Sequence, residues 1–215
     1  MINKQHSNTL NLLATTGFLL FILLISLSHS PAWSANDKST TFANTPTVNP
    51  IVNPKWFKVS FLEINDDIAD ARKAGKKGIL LYFGQKRCPY CKLFLDNNYS
   101  QKNIVSYTQK YFDVIAINVR GNKTVVNMTG KSMTEKQFAI SEKAELTPTL
   151  LFIDTTGKRV LKLIGYQSPK RYSAAMAYMV ESHYKTLSFK AYLKSVPASS
   201  KNLESSNATQ STKGK

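Results

Sequence analysis

Uninterrupted apolar runs alternate with stretches of helical periodicity through the middle of the chain. Residues 79–83 are apolar throughout, which is typical of a strand buried on both faces. Apolar residues at helical spacing begin at Ile64 and stop before Gly75, a residue type that commonly ends helices. Similar patterns predict a helix that begins at residue 89 and helices over residues 104–110, 134–144, 169–184 and 188–194. They also predict strands over residues 112–117, 150–153 and 159–164, and a short hairpin near residues 124–126.

The order of these elements predicts an α/β fold. Strands and helices alternate first, and an antiparallel pair of strands and a long helix follow. This order favours a three-layer α/β/α sandwich with a mixed sheet of about four to five strands. Within the helices, we expect Leu93 and Phe94 to face the core, together with Tyr172, Met176 and Met179. Thr134 and Gln137 have the spacing of a capping box.

The two ends of the chain differ in composition from the middle. Lys4, the apolar residues 18–27 and the small-x-small sequence at 32–34 predict a cleaved secretory signal peptide over residues 1–34. An uncleaved membrane anchor is the alternative, because apolar residues extend back to Leu10. We expect a flexible linker over residues 35–55, a domain over 56–196 and a disordered basic tail over 197–215. The protein is therefore expected in the periplasm or otherwise outside the cytoplasm.

The chain is strongly basic, with a formal net charge of +16. The basic residues are scattered, and no base-reading motif or basic stripe interleaved with aromatic residues accompanies them. A solvated surface that attracts acidic partners explains this charge, so we expect no nucleic-acid partner.

The only two cysteines, Cys88 and Cys91, follow the apolar strand directly at the predicted start of a helix. The positive end of the helix dipole favours a thiolate at Cys88, and the preceding Lys86 and Arg87 add positive charge. Cys88, at an exposed helix start, would be the nucleophile, and Cys91 would resolve the mixed disulfide.

The two residues between the cysteines have weaker assignments. Pro89 suits the first helical turn, where its missing N–H has no intrahelical partner. Tyr90 either tunes access and reduction potential or is simply an exposed aromatic residue.

Three alternatives to redox chemistry are weaker. A zinc site needs about four Cys or His ligands, and only His183 remains after removal of the signal peptide, so we expect no metal. A c-type haem site needs His after the second cysteine, where this chain has Lys92. A permanent structural disulfide would close too short a loop to constrain the unfolded chain much. We therefore expect no cofactor besides a redox-active Cys88–Cys91 disulfide.

The chain resembles the thioredoxin superfamily over about residues 56–194. The resemblance rests on the sequence LYFGQKRCPYCK at 81–92, on Thr147-Pro148-Thr149, and on Asp154-x-x-Gly157. It implies that the Thr147–Pro148 bond is cis and that both residues bind substrate. Tyr82 stands where cytosolic thioredoxins have an acidic residue, and Arg87 where they commonly have an aromatic one.

A closer similarity is to exported thioredoxin-like proteins, including SoxW-type thioredoxins. It rests on the sequence at 133–136 and on Gly165-Tyr166-x-x-Pro169. The resemblance implies an exported thiol–disulfide oxidoreductase that reduces disulfides of extracytoplasmic proteins. The inserted helix of oxidase-type members is not evident between residues 112 and 150, which favours a reductase.

We expect the partners to be disulfide-containing exported proteins and a membrane thiol electron donor, and we expect the protein to be a monomer. The alternatives are a disulfide oxidase or isomerase of the same fold, or a non-catalytic module that binds client peptides.

Overall fold

The computed structural model describes residues 49–195, which form helices around two sheets. The helices are α1 (Ile64–Lys73), α2 (Pro89–Asn98), α3 (Lys102–Tyr111), α4 (Glu135–Ser141), α5 (Pro169–Val180) and α6 (Phe189–Ser195), with a 3₁₀ turn at His183–Lys185. The strands are β1 (Gly78–Gly84), β2 (Phe112–Asn118), β3 (Thr124–Val126), β4 (Ser132–Thr134), β5 (Thr149–Asp154) and β6 (Arg159–Ile164).

The main sheet has four strands in the order β2-β1-β5-β6, and β3 and β4 form a separate hairpin. β1 is parallel to β2 and antiparallel to β5, and β5 is antiparallel to β6. Every residue of β1 is buried, as its continuous apolar sequence predicts. The predicted mixed α/β sheet is therefore confirmed, with four strands.

Two apolar cores lie on opposite faces of this sheet, because alternate strand residues point to opposite sides. Leu80 and Tyr82 of β1 belong to the core that α2, α3 and α5 cover. Ile79, Leu81 and Phe83 belong to the core that α1 and α4 cover. The molecule thus has the three layers predicted from the order of its elements.

Local signals in the sequence set several helix ends. Gly75 follows α1 with a positive φ of 70°, a conformation that glycine adopts without steric cost. Thr134 and Gln137 form the predicted capping box at α4: the Gln137 N–H donates to Thr134 Oγ1, and the Thr134 N–H donates to Gln137 Oε1. Ser168 caps α5 and Pro169 occupies its first turn.

Three expectations about the helices are wrong in detail. Leu93 is exposed, because the buried stripe of α2 runs through Cys91, Phe94, Leu95 and Asn98. The helix predicted over 134–144 ends at Ser141, and Lys143 has a positive φ of 50°. The helix predicted over 169–184 ends at Val180, where Ser182 has a positive φ of 61°.

The predicted signal peptide, most of the predicted linker and the predicted tail lie outside the described residues. Ile51, in the predicted linker, donates its N–H to the Lys86 carbonyl at 2.8 Å and packs against the core beside α2. Within residues 49–195, none of the helices has the length and apolar character needed to cross a membrane.

Candidate active site

Cys88 is the N-cap residue of α2, directly after the loop that follows β1. Its backbone is extended, with φ −145° and ψ 99°, and the Cys91 N–H donates to its sulfur at 3.1 Å. One of the amide groups that a helix leaves unpaired at its start therefore points at Cys88 Sγ. A disulfide joins Cys88 to Cys91, with 5.1 Å between their Cα atoms.

The two sulfur-bearing residues are more enclosed than the sequence suggests. The exposed fraction is 3% for Cys88 and zero for Cys91, so the expectation of an exposed nucleophile needs correction. Pro89 is exposed and Tyr90 is 63% exposed, which shows that the helix start itself faces solvent. Cys88 is less exposed than its neighbours because a distant loop lies against its sulfur.

That covering loop is the Thr147–Pro148 pair before β5. The peptide bond between the two residues is cis. Thr147 Oγ1 lies 3.2 Å from Cys88 Sγ, and the Thr147 carbonyl oxygen lies 3.6 Å from it. The Gly165 N–H donates to the Pro148 carbonyl at 2.8 Å, which ties the loop to the end of β6. Residues 59 positions apart in sequence therefore meet at the disulfide.

Lys86 and Arg87 precede Cys88, and both side chains are exposed. Neither side chain takes part in an ion pair or hydrogen bond within the part of the chain that the structure describes. Lys92, by contrast, pairs with Asp96 at 2.6 Å. The two cations beside Cys88 are thus not neutralised by described carboxylates.

Tyr82 lies in the core cluster that also contains both cysteines. Its ring stacks with Phe94 at 6.0 Å between centroids, and its hydroxyl has no hydrogen-bond partner among the described residues. Burial raises the pKa of the Tyr82 phenol. A Cβ at Gly84 would lie 2.7 Å from Tyr82 Cε1, so the ring extends along β1 toward the start of α2.

A family model described as a thioredoxin-like domain matches residues 64–180. The chain belongs to the thioredoxin superfamily. The matched region includes both cysteines, the cis-proline and all four strands of the main sheet. The resemblance stated from the cysteine and Thr-Pro motifs is therefore confirmed at the level of the superfamily.

The solved structures that are similar to this thioredoxin-like chain have low sequence identity to it. A thioredoxin-fold protein from Helicobacter pylori is 22% identical and superposes with a TM-score of 0.51, covering 65% of this chain and 90% of its own. A thioredoxin from Thermus thermophilus is 19% identical with a TM-score of 0.43, covering 55% and 84%. The C-terminal domain of DsbD from Neisseria meningitidis, in reduced form, is 12% identical with a TM-score of 0.39, covering 52% and 89%. None of the curated proteins compared with the chain matches it.

Three residues at the site were given no role from the sequence. Gln85 Nε2 donates to Thr147 Oγ1 at 3.2 Å. The Ile51 N–H donates to the Lys86 carbonyl, and the Gly165 N–H donates to the Pro148 carbonyl. Their partners are far away in sequence, so no local spacing reveals them. Within residues 49–195, no cluster of three or more His, Cys, Asp or Glu side chains is arranged to hold a metal ion.

Proposed function

We propose that this thioredoxin-like protein is a thiol–disulfide oxidoreductase that reduces disulfides of exported proteins. One observation carries the proposal: the Cys88–Cys91 disulfide caps the start of α2 and lies against the cis-proline loop. That arrangement places two hydrogen-bond donors, the Cys91 N–H and the Thr147 hydroxyl, at Cys88 Sγ, to which the second sulfur is bonded.

The exchange reaction balances with the two cysteines alone. The Cys88 thiolate attacks one sulfur of the client disulfide, which forms a mixed disulfide and releases the first client sulfur as a thiolate. The Cys91 thiolate then attacks Cys88 Sγ, which closes the Cys88–Cys91 disulfide and releases the second client sulfur. The client gains two electrons and two protons, and the protein loses them. Cys88 is the proposed nucleophile because its sulfur caps the start of α2 and accepts the Cys91 N–H, whereas Cys91 is completely buried.

The neighbouring residues are proposed to support this step. Lys86 and Arg87, which have no ion-pair partner among the described residues, favour the thiolate electrostatically, as does the N-terminus of α2. Pro89 allows α2 to begin immediately after Cys88. Thr147 and Pro148 are proposed to contact client backbone beside the disulfide, and the exposed Tyr90 is proposed to border the same surface.

The direction of electron flow depends on the reduction potential. Between β2 and β5 the structure describes the β3–β4 hairpin and the seven-residue α4. Oxidase-type members carry an inserted helix in this region, and the described segment contains no helix besides α4, which favours a reductase. Stabilising the Cys88 thiolate acts the other way, because it stabilises the dithiol form and makes the protein more oxidising. As a reductase, the protein needs a donor dithiol, which we propose to be a membrane thiol protein. An exported location is proposed from the predicted signal peptide.

The test is insulin-disulfide reduction by the full chain with dithiothreitol as electron donor. We expect the wild-type protein to accelerate reduction and Cys88→Ala to abolish the acceleration. Asp96→Asn, an exposed substitution on the same helix, is the matched control, and we expect it to retain most of the activity. Equal activity of wild type and Cys88→Ala would contradict catalysis by the cysteine pair and would favour the non-catalytic module that binds client peptides.

The redox midpoint of the cysteine pair decides the direction. A value near that of thioredoxin, about −270 mV, supports the reductase, whereas a value near that of the strong oxidase DsbA, about −120 mV, assigns an oxidase.

A further inference from the structure

The side-chain amide of Gln85 links the loop after β1 to the cis-proline loop. Its Nε2 donates to Thr147 Oγ1 at 3.2 Å, and the same oxygen lies 3.2 Å from Cys88 Sγ. A hydroxyl group has one hydrogen and two lone pairs. Because Gln85 donates to a lone pair of Thr147 Oγ1, the single hydroxyl hydrogen remains available for the sulfur.

The state of the cysteine decides which atom donates in this contact. Cys88 has no hydrogen on sulfur while it is in the disulfide, so Thr147 Oγ1 must be the donor. After reduction, the same O–H group would point at a thiolate, and hydrogen bonds to a charged acceptor are stronger than neutral ones. The Cys91 N–H, at 3.1 Å, is a second donor to that sulfur.

The Thr147 carbonyl oxygen, 3.6 Å from Cys88 Sγ, acts in the opposite direction. It can accept a hydrogen from the protonated thiol and has nothing to offer a thiolate. The balance between thiol and thiolate at Cys88 therefore depends on where the Thr147 hydroxyl hydrogen points. A hydroxyl group rotates freely unless its oxygen accepts a hydrogen bond. The Thr147 hydroxyl oxygen accepts such a bond from Gln85 Nε2.

We propose that Gln85 is a positioning residue that orients the Thr147 hydroxyl toward Cys88 Sγ and so stabilises the Cys88 thiolate. The inference deepens the proposed thiol–disulfide exchange and rests on it. Gln85 itself does not touch the sulfur or the client in this account. Its effect reaches Cys88 only through the Thr147 hydroxyl.

The experiment is a pH titration of thiolate ultraviolet absorbance in the full chain carrying Cys91→Ala. Cys88 is then the only sulfur that titrates as a thiol, because the chain has two cysteines. We expect Thr147→Val to lower the thiolate-to-thiol ratio about tenfold at a given pH. Gln85→Ala should lower it about threefold, because the hydroxyl stays in place but loses its orientation.

The double variant provides the decisive comparison. Gln85→Ala should have its full effect in the wild-type and Thr147→Ser backgrounds, which both carry a hydroxyl, and no effect with Thr147→Val. Lys86→Gln is the matched control, because a charge acts independently of the hydroxyl and its effect should persist with Thr147→Val.

Two results would overturn the proposal. One is a Gln85→Ala titration identical to that of the unsubstituted chain, and the other is an equal Gln85→Ala effect with and without the Thr147 hydroxyl. Neither result affects the insulin assay of Cys88→Ala. Conversely, a wild-type protein inactive on insulin but with the expected coupling would remove the proposed function and leave the role of Gln85 intact.

Discussion

Two buried tyrosines on the sheet face that carries the cysteines differ in the state of their hydroxyl groups. The Tyr172 hydroxyl lies 2.9 Å from the Tyr99 hydroxyl and 3.3 Å from Thr108 Oγ1. The Tyr82 hydroxyl has no partner among the described residues, although Tyr82 is almost completely buried. A buried hydroxyl that gives up water without gaining a hydrogen bond costs free energy, whereas a paired one recovers that cost.

This difference predicts opposite effects of the same substitution at the two positions. Tyr82→Phe should raise the free energy of unfolding by about 1 kcal/mol, because it removes an unpaired polar group without changing the ring. Tyr172→Phe should lower it by about 1–2 kcal/mol, because the Tyr99 and Thr108 hydroxyls lose a partner. Urea unfolding of the oxidised protein measures both values. A destabilising Tyr82→Phe would show that the Tyr82 hydroxyl is paired, for example by a buried water.

Among the elements, the turn between β5 and β6 depends on a single carboxylate. Asp154 Oδ1 accepts from the Thr156 N–H at 2.8 Å, the Thr156 hydroxyl at 2.6 Å and the Lys158 N–H at 3.1 Å. The Tyr184 hydroxyl donates to Oδ2 at 3.2 Å. Burial raises the pKa of Asp154, but the hydrogen bonds, led by those from Thr156, outweigh it and lower the pKa overall.

A lowered pKa in the folded state makes the turn sensitive to acid. The ionised Asp154 carboxylate contributes its full stabilisation above the pKa that the group has in the unfolded chain, about 3.9. This stabilisation is lost as the pH falls through the lower pKa that Asp154 has in the folded protein. Asp154→Asn should therefore lower the free energy of unfolding by about 1–2 kcal/mol near neutral pH, and the difference from wild type should shrink below about pH 4.

The control for this prediction is Asp96→Asn. Asp96 forms an exposed ion pair with Lys92 four residues away on α2, so its loss should cost less than about 0.5 kcal/mol. Urea unfolding at several pH values measures both variants. A deficit in Asp154→Asn that stays constant down to about pH 2 would contradict the account, since it would not depend on ionisation of the carboxyl group.

At the scale of elements, the sequence predicts what local chemistry determines. β1 is recognisable in the sequence because a strand that is buried on both faces has a continuous apolar run. α4 is recognisable because Thr134 and Gln137 have capping-box spacing. The inward face of α2 is less predictable, because Leu93 and Phe94 are both apolar and only packing against the sheet decides that Phe94 is buried.

The same limit applies to the candidate site. Cys88, Pro89 and Cys91 are evident from their adjacency and from the strand before them. Gln85 and Thr147 meet across 62 residues, so the hydrogen bond between them follows from how the two loops pack on the sheet. Resemblance to a family indicates that the Thr147–Pro148 loop matters, but it does not indicate that Gln85 contacts it.

At the scale of the whole molecule, the chain carries an excess of positive charge, and the two cations beside the disulfide have no ion-pair partner among the described residues. The full chain has a net charge of +16, which attracts acidic molecules in general.

The basic residues lie at different distances from the disulfide. Lys86 and Arg87 are adjacent to Cys88, whereas Lys77, just before β1, lies at the opposite end of the strand from the disulfide. Lys185, in the 3₁₀ turn, follows Tyr184, which contacts Asp154 at that same opposite end. Local and general attraction can therefore be separated by substitution.

We expect the protein to reduce a cyclic peptide disulfide flanked by aspartates faster than the same peptide flanked by lysines. At low salt the ratio of kcat/KM should be about tenfold, and it should fall toward one near 1 M salt, where the screening length is about 3 Å. Replacing both Lys86 and Arg87 by Gln should remove most of the preference. The control, Lys77→Gln with Lys185→Gln, removes the same charge far from the disulfide and should retain it. An equal loss of preference in the two double variants would assign the effect to net charge rather than to the cations beside Cys88.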